Sequence, residues 1–199
     1  MAVPYFLTAL DLRSRLCVVF GSGEEALSRA RTLLEHGARV RLIAPEPQVV
    51  LTTWSSEQAA VDLQRKAPDE TDLDDAWLAV VADQNAEWVA QLGPLAMQRK
   101  IFFCAIDQPI HNSFAHVGIA RAGALQVGIS TSGIVPGIAG ALKRAFQKLL
   151  DESDFENVVE RVTHLRQTAP LEQRGKLVRS LASRIRLEGK LVLDEEPDP

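Results

Sequence analysis

The chain has 199 residues, 46% hydrophobic and 24% charged, which suits a soluble globular protein with one sizeable core and a smaller appended module. A net charge of −4 gives no support for nucleic acid as the main partner, since duplex binding rests on a basic excess. No apolar run approaches ~18 residues and no secretory leader opens the chain, so no membrane partner is expected and the protein is read as cytoplasmic.

Residues 3–9 can form a short strand feeding a turn at Asp11–Ser14. Leu16–Phe20 is an unbroken apolar run, as in a parallel strand covered on both faces. Gly21-Ser22-Gly23 follows, then a helix over 24–36 with Ala26, Ala30, Leu33 and Leu34 on one side and Gly37 as its left-handed stop. Val40–Ile43 is the next strand, ended by Pro45 and Pro47. This order is a βαβ unit with a right-handed crossover. Val61–Leu63 is a weaker strand, Trp77–Val81 a strong one, residues 86–99 a helix and Ile101–Ile106 another apolar strand. Five or six strands alternating with helices imply an α/β, doubly wound parallel sheet. The pattern changes near Pro109. Leu125–Ser130 reads as a strand, Pro136-Gly137 opens an apolar helix to about Leu150, and Asp154–Gly189 reads as helices broken near Pro170, before the acidic tail DEEPDP.

The turn Gly21-Ser22-Gly23-Glu24-Glu25-Ala26 fits G-x-G-x-x-A. The first glycine permits the tight turn, the second lets a pyrophosphate approach the backbone, and the alanine keeps helix and strand close. A plain tight turn is the alternative. Glu24 and Glu25 suit a first helical turn, yet they would repel a pyrophosphate if aimed at it. The acidic residue that holds ribose hydroxyls is displaced to Glu46 or missing.

Asp107 ends an apolar strand, where an open α/β sheet places its ligand crevice, so it is either a proton acceptor or donor or a turn residue before Pro109. Ser130-Thr131-Ser132-Gly133 can bind an anion through backbone N–H groups or act as a helix cap. His111 and His116 lack metal-pair spacing and read as packed or solvated, so no metal site is expected. Cys17 and Cys104 read as buried free thiols. The basic residues Arg161, Arg166, Arg174, Lys176, Arg179, Arg184, Arg186 and Lys190 make either a solvated helical face or a cationic wall for a polycarboxylate.

With these residues in view, the chain resembles the precorrin-2 dehydrogenase family, which includes the N-terminal half of sirohaem synthases. The opening from Pro4 to Glu46 is similar to the family's opening, with its glycine turn and a strand ending in A-P-E. Trp77–Val81 matches its W-L-A-I-A strand, Cys104–Pro109 its N-V-x-D-x-P, and Ile129–Pro136 its I-S-T-x-G-x-S-P. The resemblance covers roughly residues 3–190. It implies a Rossmann NAD-binding domain at 1–112, a dimerisation segment at 113–150 and a helical C-terminal segment at 151–199. The implied activity is NAD-dependent oxidation of precorrin-2 to sirohydrochlorin, with iron insertion in some members. The implied partners are a tetrapyrrole and a second copy of the chain, the tetrapyrrole lying in a cleft between the NAD domain and the rest.

On this resemblance Asp107 is the acid/base residue. Gly21, Ser22, Gly23, Glu24, Glu25, Ala44, Pro45 and Asp83 form the cofactor site. Ser130, Thr131, Ser132, Gly133, Arg121, Lys143 and Arg144 hold the substrate's carboxylates. The departures from the family pattern are Glu25 for an apolar residue, Ala82-Asp83-Gln84 for A-T-D, Cys104 for asparagine, Val135 for serine, and a missing proline after Phe114. The rival readings are a redox-inactive tetrapyrrole-binding or metal-handling homologue, and a nucleotide-sensing module.

Overall fold

The apolar runs become the buried strands of one sheet. The computed structural model describes residues 5–132 and 134–188, without the side chain of Pro136. The chain divides into two units, residues 1–116 and 117–199.

In the first unit, β1 (Leu16–Phe20), β2 (Arg39–Ile43), β3 (Val61–Gln64), β4 (Leu78–Val81) and β5 (Phe102–Ala105) form a parallel sheet in the order β3-β2-β1-β4-β5. This is the expected doubly wound, Rossmann-like sheet. Successive side chains of β1 go to opposite faces. Cys17 and Val19 pack with Ala26, Leu27, Ala30 and Leu33 of α1 (Glu24–Glu35) and Leu51 of α2 (Val49–Ser56). Val18 and Phe20 pack with Val89, Leu92 and Ala96 of α3 (Ala86–Gln98). Each fully buried leucine contributes roughly 1.5–3 kcal/mol, so this two-sided core fixes the level of the strands. Phe20 pairs with Ile43 and Val81, and Val81 with Ala105. The carboxyl ends of these four strands therefore lie along one sheet edge.

Local chemistry sets the element ends. Gly37, at φ 81°, closes α1 in the left-handed conformation. The Asn85 side chain caps α3 by accepting the Trp88 N–H at 3.1 Å. A 3₁₀ turn over Glu70–Leu73 carries a capping box between Asp69 and Asp72, and Lys66 pairs with both carboxylates at 2.6 and 2.8 Å.

Three features depart from the sequence expectation. Residues 5–10 form no strand, and Phe6 and Leu7 are exposed, because no described strand pairs with them. Helix α2 was not expected from VVLTTWSS, which favours strand. It forms because Leu51 and Ser55, one turn apart, are buried on the α1 side of the sheet. Strand β6 (Gly118–Ala122) also lacks a strong pattern; it pairs antiparallel with β7 (Leu125–Ile129).

The second unit holds this hairpin with α4 (Pro136–Asp151), α5 (Phe155–Thr168) and α6 (Leu171–Ala182), the last two separated by Pro170. Helix α4 is fastened to β6 by Gln147, whose amide accepts the Arg121 N–H and donates to the Arg121 carbonyl, both at 2.9 Å. Only Ala120 and Ala169 are buried hydrophobics among this unit's described residues. Among the described residues no helix is long and apolar enough to cross a membrane.

Both cysteines are buried free thiols, as expected. Burial pushes Cys17 up to about 12. Burial also pushes Cys104 up to about 11, opposed by the nearby Arg29 charge. The native protein should therefore leave both thiols unreacted with a disulfide reagent near neutral pH, while the denatured chain titrates both. From about pH 9 the unfolded thiols lose protons that the folded ones keep, so stability should fall as pH rises toward about 11. Equal reactivity of native and denatured protein would contradict this burial.

Candidate cofactor and active site

The sheet order reverses direction between β1 and β4, the place where an open α/β sheet takes its ligand at the carboxyl ends of the strands. The glycine turn stands on one side of it. Gly21 has φ 152°, a conformation side chains rarely adopt, and donates its N–H to the Ile43 carbonyl at 3.1 Å. A Cβ on Gly21 would stand 2.8 Å from Asp83 Oδ1, 3.1 Å from Ala26 Cβ and 3.2 Å from Ala82 Cβ. Gly23 is the N-cap of α1 and supplies no side-chain cap. The first-turn N–H groups and the positive end of the dipole are thus left for an anion. The Ser22 carbonyl accepts the Gln48 N–H at 2.9 Å, tying the loop after β2 to the turn. The Gln48 side chain faces Gly23.

The two glutamates differ in placement. Glu25 turns along α1 to accept from Arg29 Nε at 2.7 Å, which takes its charge away from the turn. Glu24 is exposed in the first turn. Ala44 is buried, while Pro45 and Glu46 are exposed just beyond β2. Asp83 follows β4, is half-buried, and accepts the Ser22 N–H at 3.0 Å.

Asp107 follows β5 on the same sheet edge. It is exposed, has φ 61°, and accepts from Gln84 Nε2 at 3.1 Å. Aspartate tolerates this left-handed region better than most residues, at a cost of about 1 kcal/mol or more. The segment behind it is held firmly. Asn112 Oδ1 accepts the Ala105 N–H at 2.7 Å, its Nδ2 donates to the Ala105 carbonyl at 3.1 Å, and Ser113 Oγ accepts the Phe103 N–H at 2.8 Å. These side chains pair with the outer edge of β5 as a sixth strand would. His111 lies against Gly93 of α3, where a Cβ would stand 2.7 Å from its ring.

The sequence assigned no role to Gln84, Gln48, Asn112 or Ser113. The one available signal was position: each lies within a few residues of the end of a strand or turn.

The other expected site residues belong to the second unit. Ser130 Oγ accepts the Ser132 N–H at 3.1 Å, and the Thr131 carbonyl accepts the Ile134 N–H at 3.0 Å, so this segment makes its own turn. Gly133 lies outside the described residues. Arg121 on β6 and Lys143 and Arg144 on α4 are exposed. The Lys143 Cβ packs where Gly118 leaves room, 3.3 Å from the site of a Cβ. Among the basic residues of the C-terminal helices, Arg174 donates to the Ala169 carbonyl at 2.7 Å and so closes the end of α5. Arg161, Arg166, Lys176, Arg179, Arg184 and Arg186 are exposed, and Lys190 lies outside the described residues. No cluster of three or more His, Cys, Asp or Glu able to hold a metal occurs among the described residues.

Residues 8–117 match the family model described as "Putative NAD(P)-binding". Siroheme synthases of Salmonella dublin and Salmonella heidelberg are each 33% identical over 142 residues, which is 71% of this chain and 31% of the relatives. The chain thus spans about a third of their length. A solved structure of "SirC, precorrin-2 dehydrogenase" shares the fold, with a TM-score of 0.70, 20% identity and 89% of each chain covered.

The close packing at Gly21 sets a test. Gly21→Ala should lower stability by about 1–3 kcal/mol, the range for a residue forced into a sparsely populated backbone region. Gly137→Ala, with nothing within 4 Å of the new Cβ, should not lower it. Equal melting temperatures for Gly21→Ala and the parent would contradict the geometry.

Proposed function

We propose that this chain, which belongs to the NAD(P)-binding family, oxidises precorrin-2 to sirohydrochlorin in sirohaem synthesis, with NAD as the oxidant. The observation that carries the proposal is Asp107, set on the same sheet edge as an uncapped glycine turn and held by Gln84. The likeness to siroheme synthases supports the substrate class. The missing side chains at Gly21 and Gly23 and the uncapped start of α1 fit a dinucleotide pyrophosphate.

In this reading Gly21 gives the pyrophosphate room to approach, Gly23 and the first-turn residues Glu24 and Glu25 hold it by backbone N–H groups, the Ser22 N–H joins them once Asp83 releases it, and Ala44 and Pro45 flank the cofactor. NAD is favoured over NADP because Ala44–Gln48 contains Glu46 and no arginine to meet a 2′-phosphate. Bound there, NAD would accept the hydride. Asp107 Oδ1 or Oδ2 then takes the proton that the oxidised macrocycle must lose. Ser130, Thr131, Ser132 and Gly133, with Arg121, Lys143 and Arg144, bind the substrate's carboxylates. Each charge-assisted hydrogen bond of this kind contributes roughly 1.5–3 kcal/mol. A cytoplasmic setting agrees with two cysteines that remain thiols.

Asp107→Asn keeps the side chain's shape and tolerates the same backbone, but cannot accept the proton. Anaerobic turnover should fall by about a hundredfold or more, with NAD affinity and melting temperature nearly unchanged. Full activity in the folded variant would remove Asp107 from the mechanism.

We also propose a homodimer built largely from residues 113–150. Ile134 and Ile138 are 67% and 52% exposed, and the second unit buries too little apolar surface to be stable on its own. Light scattering at micromolar concentration should give twice the chain mass. A monomer mass would contradict the dimer.

A further inference from the structure

We propose that Asp83 sets the affinity of the glycine turn for its ligand: its carboxylate occupies the Ser22 N–H that a pyrophosphate would use, so an incoming phosphate must displace it. The inference rests on the cofactor reading above and reassigns Asp83 from a helper in that site to a competitor for it.

Several observations converge on this role. Asp83 Oδ2 accepts the Ser22 N–H at 3.0 Å, and Oδ1 lies within 2.8 Å of the place a Gly21 Cβ would take. Both carboxylate oxygens therefore lie against the turn. The contact spans 61 residues of sequence and two neighbouring strands, so it is not a local helix cap. Its root is fixed by the β1–β4 pairing, where the Ala82 N–H donates to the Phe20 carbonyl at 2.8 Å. Asp83 is half-buried and is held beside the turn.

A helix start with unsatisfied N–H groups attracts one anion well. Here the protein already places one beside it. A second anion brought to the Ser22 N–H and the adjoining start of α1 is repelled by the first, and a half-buried site screens that repulsion less than open solvent does. Glu24, exposed in the first turn of α1, adds charge of the same sign, whereas Glu25 is paired with Arg29. In the absence of ligand the Asp83–Ser22 bond keeps the turn's donor satisfied.

Two variants separate charge from occupancy. Asp83→Asn removes the charge and can still accept the Ser22 N–H. Asp83→Thr removes the long acceptor as well. Each is titrated by calorimetry with inorganic pyrophosphate and, separately, with NAD, after a melting curve confirms folding; if one variant fails to fold, the other decides. Asp83→Thr should bind pyrophosphate at least about tenfold more tightly than the parent, equivalent to about 1.4 kcal/mol. Asp83→Asn should show a smaller gain in the same direction. NAD should follow the same order.

If neither folded variant gains affinity for pyrophosphate, the proposal is overturned, whatever NAD does. If both gain pyrophosphate affinity while NAD binds none of the three proteins, the role of Asp83 stands and the dinucleotide reading falls.

Discussion

The contact between the end of β1 and the end of β4 is the constraint on which the site depends. At Gly21 the chain leaves a strand buried from Cys17 to Phe20, and Ala26, Ala82 and Asp83 close around it so tightly that no side chain fits. That close approach allows α1 to start directly behind the turn and to lie on the face of the sheet formed by Cys17 and Val19. The same strand pairing continues through Val81 to Ala105, which places Asp107 on the edge where the turn also stands. A shift of one residue in β4 would send its buried residues to the wrong faces and separate these groups.

The glycine turn combines an uncapped helix start with an acidic surround. The start of α1 offers N–H groups without a side-chain cap, yet Asp83 and Glu24 both stand close to it in the structure or the helix turn. Glu25 would add a third charge if Arg29 did not draw it along the helix. On the proposal above, ligand affinity there follows from a balance between donor geometry and charge. Beyond β5, Gln84 and the Asn112–Ser113 pairing with the strand hold the loop that carries Asp107, so an exposed carboxylate is nonetheless fixed in place.

Much of this was legible in the sequence, for physical reasons that can be named. Strands covered on both faces read as unbroken apolar runs, and Leu16–Phe20, Val40–Ile43, Trp77–Val81 and Ile101–Ile106 all stand where those runs predict. The places of the glycine turn and of Asp107 just beyond β1 and β5 were legible because the strands that precede them were. Helix α2 was not, because its valines and threonines favour strand and only burial of Leu51 and Ser55 on the sheet makes it helical. Strand β6 was not, because G-I-A-R-A has too little apolar alternation. The Asp83–Ser22 and Gln84–Asp107 bonds span 61 and 23 residues, and no local pattern reports a partner at such a distance.

The dehydrogenase activity proposed for the carboxyl ends of β1 and β4 is open to direct assay. The most direct measurement is anaerobic incubation of the purified chain with precorrin-2 and NAD, following NADH and sirohydrochlorin together. Both should appear in equimolar amounts, at a rate that saturates in each reactant. Folded protein that binds both reactants and yet yields neither product would contradict the proposed activity.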